Sequence, residues 1–353
     1  MRGVASAAGL GEWPRRVPPP SAADIVPAQD WPRVSLVTPS FNQARFLEDT
    51  ILSVLHQGYP DLEYMVIDGG STDGSLEIIQ RYAERLAHWE SAPDLGQSHA
   101  INKGWQRATG KYVWWLNSDD LLMPGSLAST VQYLEAHSDV DLVYGDIRCI
   151  DEDGRPLKTW SYRDFELVDF ILNRRHVAQA GGLVRRHALE RIGFLDEGLH
   201  YLMDWDFWTR LALSGGRIVH LPQTLAIYRV HDEAKTGVGS PVAVQERYTL
   251  LRRLLDRADL PERIRANEAR VVSGMRVDGS RVFLACGAYK EATREAIRAC
   301  RVWPPQVLSP AVWYQAGLGV LGILLGERTW RGARAVIRRW RRSWRAGIRR
   351  GGP

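Results

Sequence analysis

The chain has little cysteine: three residues in 353, Cys149, Cys286 and Cys300, widely spaced and odd in number. That argues against a disulfide framework or a clustered zinc site, and it suits a reducing compartment. Long apolar runs are also missing. A spanning helix needs roughly 20 apolar residues, and the mainly apolar stretch 311–326 has 16. The absence of multiple spans argues against a processive synthase that extrudes its product. Residues 1–32 hold Pro18-Pro19-Pro20 among scattered Ala and Gly but no apolar core of signal-peptide length. They read as a flexible leader and not a secretion signal. Acid is scarce at the other end, where 327–353 sets ten arginines against Glu327 alone. That segment carries +9, so the rest of the chain carries −4 of the net +5.

What is present suits a globular enzyme: 45% hydrophobic residues, enough for one core and an appendage. Three apolar runs break into polar loops at their carboxyl ends. They are Val34–Val37 running into Thr38-Pro39-Ser40-Phe41-Asn42, Tyr64–Ile67 into Asp68-Gly69-Gly70-Ser71-Thr72-Asp73-Gly74, and Trp114–Leu116 into Asn117-Ser118-Asp119-Asp120. The segments between them read as helices. Such alternation predicts a mostly parallel α/β sheet, with ligands bound outside the carboxyl ends of the strands. Two adjacent acids repel, and one has a raised pKa unless a cation or donors compensate. A hard divalent metal is the natural compensation. Taken alone, a solvated Asp-Asp turn explains the pair equally well.

In this order the three tips resemble family 2 glycosyltransferases, inverting enzymes of GT-A fold that use nucleotide-diphosphate sugars. The resemblance continues through Gly96-Gln97, Asn102-Lys103-Gly104, Ala108-Thr109-Gly110, Gly193–Glu197, Met203–Trp208 and Tyr228-Arg229-Val230-His231, covering roughly 33–232. It implies a GT-A nucleotide-diphospho-sugar transferase fold, with a mostly parallel central sheet flanked by helices; residues 241–310, read separately as helical and charged, add a helical C-terminal extension. It also implies that Asp68 holds the nucleobase or ribose, in a donor pocket with Pro39, Ser40 and Phe41. A carboxylate accepts hydrogen bonds from a uracil N–H or a ribose hydroxyl, so the role is chemically sensible. Asp120 is the implied ligand of Mn²⁺ or Mg²⁺, and Asp119 contacts ribose or metal. Relatives have a further acid where this chain has Asn117. His231 matches a histidine that approaches the metal or the diphosphate.

Asp204 is the implied general base, with Met203 standing where relatives often have Glu. Asp206 competes for that role, but residues two apart on a helix do not share a face, so only one should point at the acceptor. Without the resemblance, both would read as acids at a helix N-terminus. Gln97 touches the donor or belongs to a plain turn. Arg229 is an anion ligand or a salt-bridge partner. Trp114 and Trp115 are expected in the core, Trp205 and Trp208 in an acceptor pocket.

The expected organisation is a leader over 1–32, a catalytic domain over 33–240, a helical extension over 241–310 and an interfacial segment over 311–353. Trp330, Trp340 and Trp344 lie among the tail arginines. Arginine, tryptophan and apolar residues together suit an anionic membrane surface; a buried helix with a solvated basic face, or nucleic-acid binding, competes, and no nucleic acid is expected. The expected protein is cytoplasmic, peripheral at the inner face of the cell membrane, and moves a hexose-type sugar to a glycan or lipid-linked acceptor in surface-polysaccharide or glycoconjugate synthesis. Its rivals are a catalytically silent sugar-nucleotide-binding or scaffold protein, and a nucleotidyltransferase. The latter normally wants a Gly- and Lys-rich first loop, which Thr38–Asn42 does not supply.

Overall fold

The structure is a computed structural model that describes residues 31–173, 177–235, 240–310, 312–321, 323 and 324. Most of the expected leader, and the Arg/Trp-rich sequence from 325 onward, lie outside the described residues. The chain divides into two compact units, 1–237 and 238–353.

In the first unit, strand β1 (Val34–Ser40) is buried at every position. A strand without a solvent face belongs in the middle of a sheet covered on both sides, and β1 lies between β2 (Leu62–Asp68) and β4 (Tyr112–Trp115), parallel to both. β3 (His88–Ser91) extends the parallel set beyond β2. On the other side come β8 (Leu183–Arg185), β6 (Leu142–Asp151), β9 (Ile218–Val230) and β5 (Leu121–Leu122), with β7 (Pro156–Trp160) beside β6. β6 and β9 share the direction of β1, while β5, β7 and β8 oppose it. The result is the mostly parallel sheet expected from the alternation.

Helices α1 (Ala44–Leu55), α2 (Ser75–Tyr82), α3 (Gln97–Arg107), α4 (Ser126–Ala136), α5 (Leu167–Leu172), α6 (Arg186–Ile192) and α7 (Met203–Leu213) complete the unit. Asp73 ties two of their starts together. It accepts the Ala44 N–H at 2.8 Å and the Ser75 N–H at 3.1 Å. Burial pushes its pKa up, but Ser75 and these amides outweigh that and hold it below the usual value. The largest side chains of the core are aromatic. Trp114 and Trp115 are fully buried, as expected, and Trp208 stacks on Trp114 at 5.4 Å and 18°.

The second unit is helical: α8 (Pro241–Leu255), α9 (Glu262–Arg265), α10 (Glu268–Ala285), α11 (Tyr289–Val302) and helical residues at 312–321, 323 and 324. Ser240 caps α8 by accepting the Val242 N–H, with proline at the first helical position. Small residues bring α10 and α11 together: Ser273 and Ser280 donate to the Ala299 and Ala292 carbonyls at 2.9 and 2.8 Å. No helix among the described residues is long and apolar enough to cross a membrane.

Close approach of α3 to β1 depends on Gly104. A Cβ there would stand 2.5 Å from Val37 Cγ2 and 2.6 Å from Cγ1. Overpacking of this kind costs about 1–3 kcal/mol, so Gly104→Ala is expected to lower the unfolding free energy from urea melts by that order and, with it, the midpoint. An unchanged midpoint would show that the two elements can separate freely.

Candidate active site

Strand register places the polar tips in one row. Ser40 pairs with Asp68, and Asp68 with Ser91. Asp68 is fully buried, and its carboxylate accepts the Gly70 and Ser71 N–H groups at 3.1 and 2.9 Å. It also accepts the Ser71 hydroxyl at 2.5 Å and the Ser91 hydroxyl at 2.7 Å. It therefore organises the Gly69-Gly70-Ser71 turn from beneath, while Gly69 and Gly70 themselves line the cleft above. Asn42, whose φ of 51° suits an Asn in the left-handed region, clamps the neighbouring loop. Its N–H donates to Ser71 Oγ at 2.7 Å, and its Oδ1 accepts the Thr72 N–H at 2.9 Å.

β4 stops at Trp115, but the Leu116 N–H still donates to the Val37 carbonyl at 2.9 Å, carrying the chain forward to Asn117. The acid pair follows. Asp120 is 1% exposed, and its Oδ1 accepts the Arg229 N–H at 3.2 Å. Burial and the neighbouring Asp119 charge push its pKa well up, against the pull of Arg229 and Asn117. Asp119 is more open and meets His231 Nε2 at 3.1 Å. Arg229 lies behind the pair. Its Nε donates to the Asp119 carbonyl at 3.3 Å and an Nη to Asp49 at 3.2 Å. Of the two readings of Arg229, the geometry is that of the salt-bridge partner.

A chain of side-chain amides crosses the cleft floor. Lys235 Nζ donates to Gln97 Oε1 (3.0 Å) and Gln97 Nε2 to Asn117 Oδ1 (2.7 Å). Asn117 Nδ2 donates to Gln179 Oε1 (3.1 Å), and Gln179 Nε2 to the Trp115 carbonyl (2.9 Å). An ammonium can only donate and a carbonyl can only accept, so the two ends fix the orientation of every amide between them.

Across the cleft, α7 presents Asp204, whose Oδ1 accepts the Trp205 N–H at 2.7 Å. Asp206 instead pairs with Arg210 at 2.7 Å, and Arg210 is anchored on the carbonyls of Ile192, Gly193 and Phe194. Asp204 is among the residues that line the cleft, and Asp206 is not. The expected acceptor tryptophans need correction. Trp208, 1% exposed, is part of the core. Trp205 stacks on Phe170 at 5.7 Å, and Phe170 is the ring that lines the cleft. His231 also stands back from the cleft: its ring packs on Phe46 at 4.6 Å and its Nε2 is engaged by Asp119.

These residues surround one cleft of about 1560 Å³, lined by Pro39, Ser40, Phe41, Gln97, Asp119, Asp120 and Asp204 among others. Small-molecule sites occupy roughly 300–1,000 Å³, so the cleft has room for two ligands. Ser40 Oγ and Trp115 Nε1 are buried on its wall without a hydrogen-bond partner among the described residues. Its far wall is the segment after β7. Tyr144 donates to the Arg163 carbonyl, and Asp146 accepts the Tyr162 N–H at 2.9 Å.

A family model described as "Glycosyl transferase family 2" matches residues 35–193. The putative teichuronic acid biosynthesis glycosyltransferase TuaG of Bacillus subtilis (strain 168) is 36% identical over 203 residues, which are 56% of this chain and 79% of TuaG. The chain belongs to glycosyltransferase family 2. Solved structures agree on the GT-A fold of the transferase. S. aureus TarS 1–349 in complex with UDP-GlcNAc aligns with a TM-score of 0.55 at 16% identity, over 76% of this chain and 88% of that one. The mannosyltransferase PcManGT from Pyrobaculum calidifontis, in complex with GDP-Man and Mn²⁺, aligns at 0.53 and 20% identity, over 83% and 85%. The transferase spans about half of the longer TarS chain, 53%.

Sequence reading missed several cleft residues: Asp94, Gln179, Lys235 and the wall of Trp160, Tyr162, Phe165 and Phe170. One signal was available for Gln179. The doublet Gly181-Gly182 follows it, and a Cβ at Gly182 would collide with the Trp114 ring. Glycines of that kind mark close packing and a tightly placed neighbour.

Two charge changes at the acid tip have opposite expected effects on the ligand-free protein. A carboxyl whose folded pKa is raised contributes stability below its unfolded pKa and loses it as pH rises through the folded value. Asp120→Asn removes that loss and is expected to raise the melting midpoint at neutral pH. Asn117→Asp adds a carboxylate beside Asp120 and removes the donor to Gln179, so the midpoint is expected to fall. Thermal melts across a pH series check both; equal midpoints at pH 7 would contradict the electrostatic account.

Proposed function

We propose that this transferase moves one sugar from a UDP-, GDP- or dTDP-activated donor to a glycan or lipid-linked acceptor, with inversion at the anomeric carbon. The observation that carries the reading is the single cleft in which Asp119 and Asp120 stand on the strand-tip side and Asp204 on the α7 side. The relatives support the substrate class: TarS 1–349 binds UDP-GlcNAc and PcManGT binds GDP-Man. The name of TuaG supports a place in polysaccharide biosynthesis.

In this reading Pro39, Ser40 and Phe41 border the nucleoside, and Ser40 Oγ offers its unused hydrogen bond there. Asp68 acts through the turn it holds and through Ser91. Gln97 and Lys235, which both line the cleft, border the sugar diphosphate. Asp204 accepts the proton of the acceptor hydroxyl as that oxygen bonds to the anomeric carbon. The bond from that carbon to the diphosphate oxygen breaks on the opposite face, and the electron pair leaves with the nucleoside diphosphate.

The acid pair fits a hard divalent cation: both carboxylates line the cleft, and the raised pKa of Asp120 reports negative charge short of compensation. Mn²⁺ or Mg²⁺ held by Asp119 and Asp120 would neutralise the leaving diphosphate. Among the described residues, no three His, Cys, Asp or Glu side chains form a ready-made metal cluster. His231 enters as the residue that orients Asp119. The enzyme works at the inner face of the cell membrane, where the basic C-terminal sequence meets anionic lipid.

The test is release of nucleoside diphosphate from a panel of nucleotide sugars with Mn²⁺. One donor is expected to turn over, EDTA to abolish the reaction, and Asp204→Asn to slow it about 10²–10⁴-fold without loss of donor binding. Binding of no donor would overturn the function. Unchanged turnover in the variant would remove Asp204 from the mechanism.

A further inference from the structure

The helix over 312–324 contains no charged residue, and its two faces differ in what covers them. Val312 packs into a cluster with Val277, Ala296 and Ala299, and Leu318 packs against Leu284, Tyr289 and Ala292. Gln315 is buried, and Gly319 brings the backbone so close that a Cβ would collide with Thr293 Oγ1. That face is an ordinary helix–helix contact within the second unit. The opposite face carries Trp313 (63% exposed), Val320, Leu321 and Leu324 (74% exposed). Their positions recur at the spacing of a single helical stripe. Leu308, 82% exposed, adjoins them in sequence, and the Trp313 indole N–H is tied to the Val307 carbonyl at 2.6 Å. A surface helix normally turns charge toward water. This one turns tryptophan and leucine, and contiguous exposed apolar surface marks an interaction site.

The sequence that follows identifies the partner. Residues 327–353 add ten arginines, one acid and three tryptophans. A second copy docking by this face would bring another segment of +9 against the first, and that charge opposes self-association. An anionic bilayer satisfies both features, taking apolar side chains into its interface and arginines at its phosphates. We propose that the exposed face of the 312–324 helix inserts into the interfacial layer of an anionic membrane, with the arginines after it bound to lipid headgroups. The inference rests on the membrane position proposed above and names the surface that holds it. It requires two signals acting together, since a single weak insertion or charge alone gives only marginal, reversible binding.

The test is co-sedimentation of the full chain with phosphatidylcholine vesicles and with phosphatidylglycerol-rich vesicles, at low and at physiological salt. The wild type is expected to bind the anionic vesicles at both salt levels and the neutral ones weakly. Leu321→Glu/Leu324→Glu changes two exposed positions and is expected to reduce binding at physiological salt at least about tenfold, with an unchanged circular-dichroism melt. Equal binding by the double variant would overturn the proposal, because the arginines alone would then suffice. Failure of the wild type to bind would also overturn it, as would a wild-type dimer that the double variant dissociates. Nucleoside diphosphate release by the same proteins without vesicles reads the transferase function separately, so failure of one conclusion is distinguishable from failure of the other.

Discussion

Everything at the cleft depends on keeping negative charge where water cannot easily reach it. Asp120 is buried between a backbone N–H from β9 and the Asn117 amide, with Asp119 beside it and Arg229 as a nearby cation. Removing such a carboxylate from water is costly unless partners replace the lost hydration. The fold meets that cost with rigidity. β1, β2 and β4 are locked in parallel register, β5 pairs with β9, and Thr50 Oγ1 holds the Asp120 carbonyl at 2.8 Å. A charge held in this way is a preorganised site for a cation or for the donors of a ligand, and reorganisation during reaction is small.

The acids near the strand tips and on α7 differ in what surrounds them. Asp68 takes four donors from its own turn and from Ser91, and Asp73 takes three from the starts of two helices. Asp206 pairs with Arg210. These carboxylates hold loops, helix starts and α7 in place. Asp119, Asp120 and Asp204 differ in that they border open space within one cleft. Motif reasoning does not draw this distinction, because an acid at the end of an apolar run looks the same in both groups. Asp68 shows the consequence: the sequence places it at a strand tip beside Ser40, but only the register with Ser91 and the Ser71 turn shows that its oxygens are already engaged.

Local pattern carried the rest of the fold well. Three apolar runs ending in polar loops predict parallel strands and a shared crevice, and those strands do end side by side. The same reasoning failed where contacts are distant in sequence. Trp208 lies one helical turn from Asp204, which suggests a shared site. A helix has more than one face, however, and residue 208 turns toward Trp114 while residue 204 turns toward the cleft. The far wall after β7 has no motif of its own. Its shape comes from Tyr144 and Asp146 on β6 holding the 162–163 segment, and such pairings leave no trace in local periodicity.

The amide chain explains why an amide, in place of a third acid, is suitable at position 117. Starting from the Trp115 carbonyl, Gln179 must present its nitrogen downward and its oxygen to residue 117. Residue 117 must therefore donate on one side and accept from Gln97 on the other, which asparagine does and aspartate does not. The same residue sits at 3.4 Å from Asp120 Oδ2, on the donor side of that contact. Asn117 thus serves the acid pair and the floor at once, giving a hydrogen to a carboxylate that has too few. With Lys235 at its outer end, over the Tyr201 ring at 5.5 Å, the chain joins the strand tip to the first turn of α3 through hydrogen bonds that all run in one direction. A change at any one of these side chains reverses or breaks the polarity of the rest.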